Sequence, residues 1–230
     1  MSRIIKIDVI SDTICPWCYV GKRRLDTALK SFSNAKFEIN WKPFFLDPNL
    51  PSEGVDKMEM YAKKFGKSRI EGMIAAMKQT GLNENPPIQF SYGGKVANTL
   101  DSHRLIEYSK HHNKQEEVVS ELFSDYFEGE KNIGSRDVLT DAAVRAGLDG
   151  GQVSRFLESS EGVEQVKEEV EEAHLKYRVS GVPFFIFEGK YALSGAQEPE
   201  AIKRVVEKIL TEQKPTTVAG DVCTIDGTCN

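Results

Sequence analysis

The sequence has no long apolar run and no cluster of positive charge. Nowhere in its 230 residues does a stretch approach the roughly 18 apolar residues that a membrane-spanning helix needs. The 30 basic residues are dispersed among 35 acidic ones, and the formal net charge is -5. Because a nucleic-acid surface needs a clustered basic face, we expect a small-molecule or protein partner, and neither nucleic acid nor membrane.

The first residues lack the features of a secretory leader. The segment MSRIIKIDVISD carries charges at Arg3, Lys6 and Asp8. It contains no apolar core of signal-peptide length followed by a small-residue cleavage site. We therefore expect the chain, as written, to stay in the cytoplasm.

Cysteine is also scarce, and its placement is informative. The chain has 4 cysteines: Cys15 and Cys18 stand near the start, and Cys223 and Cys229 stand at the end. A disulfide-stapled secreted fold would need more of them, spread along the chain. In a reducing compartment, a close pair such as Cys15 and Cys18 indicates redox chemistry or a metal site.

The hydrophobic pattern predicts an α/β protein whose sheet is divided by a helical block. IIKIDVI predicts a strand, a helix begins at the first cysteine pair, and KFEINWKPF alternates as a second strand. A long region without strand signals follows, and then GVPFFIFEGKYALSG predicts a hairpin and EPEAIKRVVEKIL a helix. We divide the chain into the first half of an α/β domain, a helical domain, the second half and a polar tail: residues 1–54, 55–177, 178–213 and 214–230.

The position of the first cysteine pair at a strand–helix junction favours redox chemistry. A sulfur at the helix N-cap meets free backbone N–H groups and the positive end of the helix dipole. Both effects favour the thiolate, and they can lower a cysteine pKa from about 8.5 into the range of about 3.5–7.5. Pro16 suits the first helical position, where an N–H has no partner within the helix. We expect Cys15 to be the nucleophile and Cys18 to resolve the mixed disulfide.

Two other interpretations of this pair are weaker. A zinc site needs a second half besides C-x2-C, and the tail offers only the C-x5-C spacing of Cys223 and Cys229. No histidine stands near Cys15 in the sequence, so we predict no metal. Inert buried cysteines are disfavoured because Pro16 and Trp17 are poor core filler at a strand–helix junction.

Two motifs and an insertion carry a resemblance to a known family. They are SD-x-x-CPWCY-x-GK-x-x-L at the first helix, the long helical region, and GVP-F ahead of the hairpin. Together they resemble the DsbA-like branch of the thioredoxin superfamily over essentially the full length. Within it the chain is most similar to the cytoplasmic FrnE-type proteins, which are relatives of 2-hydroxychromene-2-carboxylate isomerase and kappa-class glutathione transferase.

The resemblance implies a thioredoxin fold with a large all-helical insertion and thiol–disulfide oxidoreductase activity on protein or small-molecule disulfides. It also implies that Pro183 follows a cis peptide bond beside the cysteines, and that the Val182 backbone pairs with a substrate strand. Pro16 and Trp17 then border the substrate. From the residues alone, Pro183 is equally an ordinary proline at a strand start.

A histidine motif in the insertion has two interpretations. ANTLDSHRL resembles the N-[TS]-x-x-[AS]-H motif of the same group, which implies that Asn98 and His103 line a groove above the cysteines. The alternative is that His103 is a hydrogen-bonded core residue.

Other side chains receive structural predictions with a functional alternative. We expect Lys22, Arg23 and Arg24 to form a solvated face; the functional alternative is a positive field that helps the thiolate or a glutathione carboxylate. The methionines of the insertion are expected to pack, or to form a Met-rich wall that suits varied substrates: Met58, Met60, Met73 and Met77.

The cysteines of the tail also allow two interpretations. They are a second redox pair that exchanges with the first, as the resemblance to FrnE-like proteins implies, or they stay reduced in a disordered tail. The segment between Cys223 and Cys229 contains Asp226-Gly227, a turn that would let the two sulfurs meet.

Three functions remain open on this basis. The first is a thiol–disulfide oxidoreductase. The second is a glutathione-dependent isomerase or transferase whose insertion binds an aromatic substrate; its relatives have a serine near the position of Cys15, and the two cysteines here favour redox work. The third is a peptide-binding chaperone. No bound cofactor is expected, glutathione is an open co-substrate, and a homodimer is implied only by analogy.

Overall fold

The central sheet is assembled from two distant stretches of the chain. A computed structural model describes residues 3–212. Strand β1 (Arg3–Ser11) pairs in parallel with β2 (Ala35–Pro43) and antiparallel with β5 (Phe184–Phe187), which pairs with β6 (Tyr191–Ser194). The strand order is β2-β1-β5-β6. The α/β fold expected from the sequence is therefore confirmed.

Two helices flank this sheet and pack against each other. Helix α1 (Pro16–Leu29) starts directly after the β1 turn, with Pro16 at its first position and Cys15 at its N-cap. Helix α9 (Pro199–Glu212) buries Ile202, Val206 and Ile209, at spacings of four and three residues that place them on one helical face. Helix α1 lies near the start of the chain and α9 ends its described part, so their contact brings these two regions together.

The insertion between β2 and β5 is almost entirely helical. Its helices are α2 (Lys57–Phe65), α3 (Lys67–Leu82), α4 (Leu100–Lys110), α5 (Gln115–Phe127), α6 (Arg136–Arg145), α7 (Gly150–Glu158) and α8 (Val163–Leu175). The expectation of an all-helical block needs one correction, because β3 (Val55–Asp56) pairs with β4 (Lys95–Val96). Each of these strands has 2 residues, too short to produce an alternating pattern in the sequence.

Helix α7 lies inside the predicted helical domain but has no clear signal of its own in the sequence. The helix opens with Gly150 and Gly151, poor helix formers that hide its start. Asp149 caps the first turn by accepting from Gln152 N at 2.7 Å. At the other end, the buried Arg104 guanidinium donates to Phe156 O at 2.9 Å and to Leu157 O at 3.3 Å, so a side chain from α4 helps to satisfy the last carbonyls of the helix.

One hydrophobic core joins the sheet to the insertion. It runs without interruption from β1 through α1 to α5, α6 and α7. At the junction, Tyr19 of α1 stacks on Phe123 of α5 with ring centroids 5.1 Å apart, and Trp41 of β2 meets the same Phe123 edge-on. Among residues 3–212, no helix is long and apolar enough to cross a bilayer.

A side chain occupies part of the outer edge of β2. Gln115, at the start of α5, accepts from Trp41 N at 2.9 Å and donates to Trp41 O at 3.2 Å. Gln115 is buried, so both backbone groups of Trp41 are satisfied without a further strand.

Candidate active site

The first cysteine pair lies at the junction that the sequence predicts. Cys15 is 5% exposed and Cys18 is fully buried, and both are free thiols. Cys18 N donates to Cys15 O at 3.0 Å, and this hydrogen bond closes the first turn of α1. Of the two sulfurs, only that of Cys15 can meet a substrate without a rearrangement of the core.

The expected capping role of Cys15 needs a correction. Its backbone is extended, as an N-cap residue requires, but its side chain accepts no N–H of the first turn. The thiol instead donates to Val182 O, with the sulfur 3.7 Å from that oxygen. The cysteine side chain is thus directed toward the second half of the sheet.

Val182 and Pro183 face the cysteines from the start of β5. The peptide bond between them is cis. Pro183 is buried, whereas Val182 is half-buried and presents its carbonyl to Cys15. Gly21 of α1 lies against this proline: a Cβ built at Gly21 would be 2.8 Å from Pro183 Cγ. Helix α1 can approach the proline only because residue 21 has no side chain.

The two thiols differ in their electrostatic environment. Burial raises the pKa of the Cys18 thiol well above its ordinary value, and the hydrogen bond and charge of Cys15 raise it further. Ser11 and the Asp12 backbone act in the opposite direction but do not reverse the shift. Cys18 therefore stays protonated at neutral pH.

A cavity of about 320 Å³ opens directly beside Cys15. Its entrance includes Trp17 and Met73, which are both 46% exposed. Three methionines and three tyrosines of the insertion line its walls: Met60, Met73, Met77, Tyr61, Tyr92 and Tyr126. The Met-rich wall considered in the sequence analysis is present there, except that Met58 lies outside it.

Three residues with a substrate-binding expectation do not line this cavity: Val182, Asn98 and His103. Asn98 Nδ2 donates to Pro48 O at 2.9 Å and its Oδ1 accepts from Leu100 N at 2.9 Å. It therefore fixes the loop after β2 to the start of α4, and its role in a substrate groove stays a prediction.

His103 is buried beneath the cysteine turn. It is 3% exposed, and its Nε2 lies 3.4 Å from Oδ1 of the fully buried Asp12. The other oxygen of Asp12 accepts from Leu46 N at 2.7 Å. Its burial and this contact favour the alternative interpretation of His103 as a hydrogen-bonded core residue. Asp12 belongs to the SD-x-x-CPWCY motif, although the sequence suggested no role for it. It connects the turn after β1 to the loop after β2 and to the insertion.

The solvated face expected at Lys22, Arg23 and Arg24 is wrong for Lys22 and for Arg24, whose side chain is 13% exposed and lies 2.8 Å from Glu84. This lysine is 4% exposed, and its Nζ lies 2.9 Å from Asp26 and 3.1 Å from Glu116 of α5. Burial alone would lower the Lys22 pKa, but the two carboxylates raise it overall. Lys22 therefore connects α1 to α5 of the insertion.

The remaining site predictions concern the tail and metals. Cys223 and Cys229 lie outside the described residues. Among residues 3–212, no group of three or more histidine, cysteine, aspartate or glutamate side chains is placed to hold a metal ion.

The geometry defines a thioredoxin-fold protein with a helical insertion and a C-x2-C pair opposite a cis-proline. A family model described as the DSBA-like thioredoxin domain matches residues 6–207. The chain belongs to this family, which confirms the resemblance and the fold inferred from its motifs.

Individual relatives agree with this assignment. The uncharacterized protein YwbO of Bacillus subtilis is 27% identical over 215 residues, which cover 91% of this chain and 98% of that protein. A probable DsbA oxidoreductase from Streptomyces coelicolor has a similar structure, with a TM-score of 0.83, 26% identity and coverage of 98% of both chains. The cytosolic disulfide reductase DsbM from Pseudomonas aeruginosa, solved with glutathione, shares the fold with a TM-score of 0.62, 13% identity, and coverage of 90% of this chain and 99% of that one.

Proposed function

We propose that the chain is a thiol–disulfide oxidoreductase in which Cys15 attacks a disulfide and Cys18 resolves the intermediate. The observation that carries this proposal is the direction of the Cys15 thiol. Its sulfur is 3.7 Å from Val182 O and borders an open cavity, while Cys18 is closed off beneath it.

The exchange balances in two steps. The Cys15 thiolate attacks one sulfur of the substrate, forms a mixed disulfide and releases the other half as a thiolate. Cys18 then loses its proton and attacks the Cys15 sulfur, which releases the second substrate thiol and leaves a Cys15–Cys18 disulfide. Two electrons pass from the protein to the substrate, and a dithiol or two glutathione molecules restore the reduced pair. The same steps in reverse oxidise a substrate dithiol.

Substrate contact is assigned to the surface around Cys15. The Val182 carbonyl provides a main-chain acceptor for an extended substrate segment, which gives affinity without strict sequence choice. Trp17 is 46% exposed, and with Pro16 it borders the same opening. Substrates are protein or small-molecule disulfides, and the site of action is the cytoplasm.

Single serine variants test this proposal most directly. The protein is equilibrated with glutathione buffers of graded potential, and the thiol–disulfide state is read by mass spectrometry. We expect one reversible two-electron transition in the intact chain. Cys18→Ser should accumulate an adduct of one glutathione per chain, and Cys15→Ser should accumulate none at this site.

The outcome that contradicts the proposal is the absence of a reversible transition. A midpoint near about -270 mV, as in thioredoxin, would assign a reducing role, and one near about -120 mV, as in DsbA, an oxidising role. Cys223→Ser with Cys229→Ser is the matched control, because a second redox pair in the tail would change the number of electrons in the transition.

A glutathione-dependent isomerase is the second candidate, and the aromatic cavity beside Cys15 favours it. Isomerisation needs no resolving thiol, so Cys18→Ser would keep such an activity while it abolishes the redox cycle. Glutathione is the first small thiol to test, since the DsbM structure of the same fold contains it. A peptide-binding chaperone would retain its activity in both serine variants. A homodimer remains part of the proposal and is tested by the solution mass.

A further inference from the structure

Helix α2 covers the Cys15 cavity but contributes no fully buried apolar side chain to the core. Met60, Tyr61 and Phe65 of this helix line the cavity, and each of them stays partly exposed. The single buried residue of α2 is Lys57, in its first turn, which is 1% exposed. A surface helix is usually fixed to its protein by an apolar stripe, whereas α2 is fixed by a lysine.

The Lys57 amine is buried without an opposite charge in contact. Its Nζ donates to Tyr126 O at 3.1 Å and lies 3.8 Å from the Tyr126 ring centroid. In the described part of the chain no carboxylate forms an ion pair with it, and Glu130, which acts from a longer distance, offsets the effect of burial only in part. Burial therefore lowers the Lys57 pKa from 10.5 to about 8.

The other titratable groups around Lys57 keep their charge between pH 7 and 9. Those that face it from α5, from the loop after α5, from α2 and from the loop before β4 are, in this order: Tyr126, Glu130, Tyr61 and Tyr92. Burial raises the pKa of all three tyrosines, and hydrogen bonds lower the pKa of Glu130. Asp56 and Lys95, from β3 and β4, bond instead to backbone atoms.

We propose that α2 is a lid over the Cys15 cavity and that opening of this lid takes up a proton at Lys57. In the closed position burial favours the neutral amine, whereas in the open position water solvates the charged form. The closed state thus binds fewer protons, so opening is favoured as the pH falls toward 8 and levels off below it. The inference goes beyond the proposed function and holds whether or not Cys15 exchanges disulfides.

A glycine provides the joint that such a movement needs. Gly66 connects α2 to α3 with a φ of 88°. A Cβ built at Gly66 would meet nothing within 4 Å, so no neighbouring atom restrains the backbone there. Rotation about this residue moves α2 while α3 stays in place.

Hydrogen exchange at the backbone amides of α2 measures the lid directly. Pulse labelling and mass spectrometry give protection factors, which remove the intrinsic effect of pH on amide exchange. With a pKa of 10.5 for the open state and about 8 for the closed state, we expect the protection of α2 to rise about ten-fold from pH 7 to pH 9. It should remain lower than that of α1, whose amides exchange through global unfolding.

Lys57→Met tests the assignment to this lysine, because methionine has a similar length and no charge. The protection of α2 should then change less than about two-fold over the same range, although its absolute value also reflects the lost hydrogen bond to Tyr126 O. Lys63→Met is the matched control: it removes an exposed lysine of the same helix and should keep the ten-fold dependence.

Three results would overturn the proposal. They are equal protection of α2 and α1, a flat pH profile of α2 in the intact protein, and an unchanged profile in Lys57→Met. The first two are measured without any substitution, so they decide the matter even if Lys57→Met does not fold.

The reactivity of Cys15 shows whether the lid controls access to the cavity. Iodoacetamide and N-(1-pyrenyl)iodoacetamide both react with the thiolate, but the larger reagent needs the open lid. Peptide mass spectrometry should show that the ratio of the larger reagent's rate to the smaller one's falls from pH 7 to pH 9 in the intact protein and stays constant in Lys57→Met. A constant ratio in the intact protein would contradict the lid. A normal ratio in a protein that exchanges no disulfide would refute the redox function and leave the lid in place.

Discussion

At the level of single residues, the two cysteines are distinguished by what surrounds each sulfur. Cys15 touches a carbonyl and an open cavity, whereas Cys18 is enclosed and its pKa is raised by burial. The proton of Cys18 must leave before the mixed disulfide can be resolved. The slow step of the exchange is therefore expected at Cys18, where the thiolate is rare at neutral pH.

The pH dependence of resolution follows from this raised pKa. Below the pKa of a thiol, the thiolate fraction rises ten-fold per pH unit, so we expect the Cys15 mixed disulfide to decay about ten-fold faster per unit between about pH 6 and 8. Acid quenching after rapid mixing with glutathione disulfide, followed by mass spectrometry, measures this decay. In Cys18→Ser the adduct should persist at every pH. A decay rate that does not change with pH would contradict the assignment of Cys18 as an unassisted thiol.

Gly21 of α1 is a position where an added side chain would disturb the site. Gly21→Ala places a methyl group 2.8 Å from Pro183 Cγ, and such overpacking costs about 1–3 kcal/mol. We expect a lower free energy of unfolding in urea and slower exchange, because Pro183 and Val182 must move. Gly72→Ala in α3 is the matched control, since a Cβ there meets nothing within 4 Å, and it should be neutral or stabilising. If the two variants were equally stable, α1 would be able to move away from Pro183 and make room for the methyl group.

At the level of secondary-structure elements, a buried lysine between two partly exposed carboxylates connects α1 to α5. Lys22 joins Asp26 to Glu116, and the indole N–H of Trp41 donates to the same Glu116. Lys22→Met should lower the free energy of unfolding by about 1–3 kcal/mol, because it leaves partly buried carboxylates unpaired. Chemical denaturation measures the loss.

The control for Lys22 is an exposed pair on another helix. Lys167 of α8 contacts Glu164 in solvent, and Lys167→Met should cost less than about 0.5 kcal/mol, as surface pairs usually do. If both variants lost a similar free energy of unfolding, the Lys22 contacts would stabilise the fold no more than a surface ion pair does.

The elements differ in how well the sequence predicts them. The strands β1 and β2, the helix α1 and the β5–β6 hairpin have long apolar patterns, and all were predicted. The short β3–β4 pair was not, because a two-residue strand has no period, and helix α7 lies in the predicted helical domain without a clear signal of its own, because a Gly-Gly start suppresses it. Lys22 was misplaced for a related reason: its partner Glu116 is 94 residues away, and no local pattern reveals it.

At the level of the whole molecule, the continuous core makes the sheet and the insertion interdependent. Tyr19, Trp41 and Phe123 meet at their junction, so neither side can lose its packing without exposing the other. The cysteines and the cis-proline were predicted because motifs mark them. Of the cavity, only its Met-rich wall was considered, because its walls come from the CPWC turn, the loop after β2, α2, α3 and α5, which only the tertiary fold brings together.

We expect a single unfolding transition for the described part of the chain. The chain has 2 tryptophans, and Trp17→Phe leaves Trp41, at the junction, as the only fluorescent reporter. Its urea transition should coincide with that of far-ultraviolet circular dichroism, as an all-or-none process requires. Two separated transitions would contradict a shared core.

The Gln115 side chain at the edge of β2 has a consequence for the protein at high concentration. A strand at the rim of a sheet offers free N–H and C=O groups on which a second molecule can grow its own strand, and such growth leads to fibrils. At Trp41 both groups are already taken by one amide side chain. Gln115 thus occupies the place of a neighbouring strand at this one residue. A strand of another molecule therefore cannot form hydrogen bonds with Trp41 and extend the sheet there.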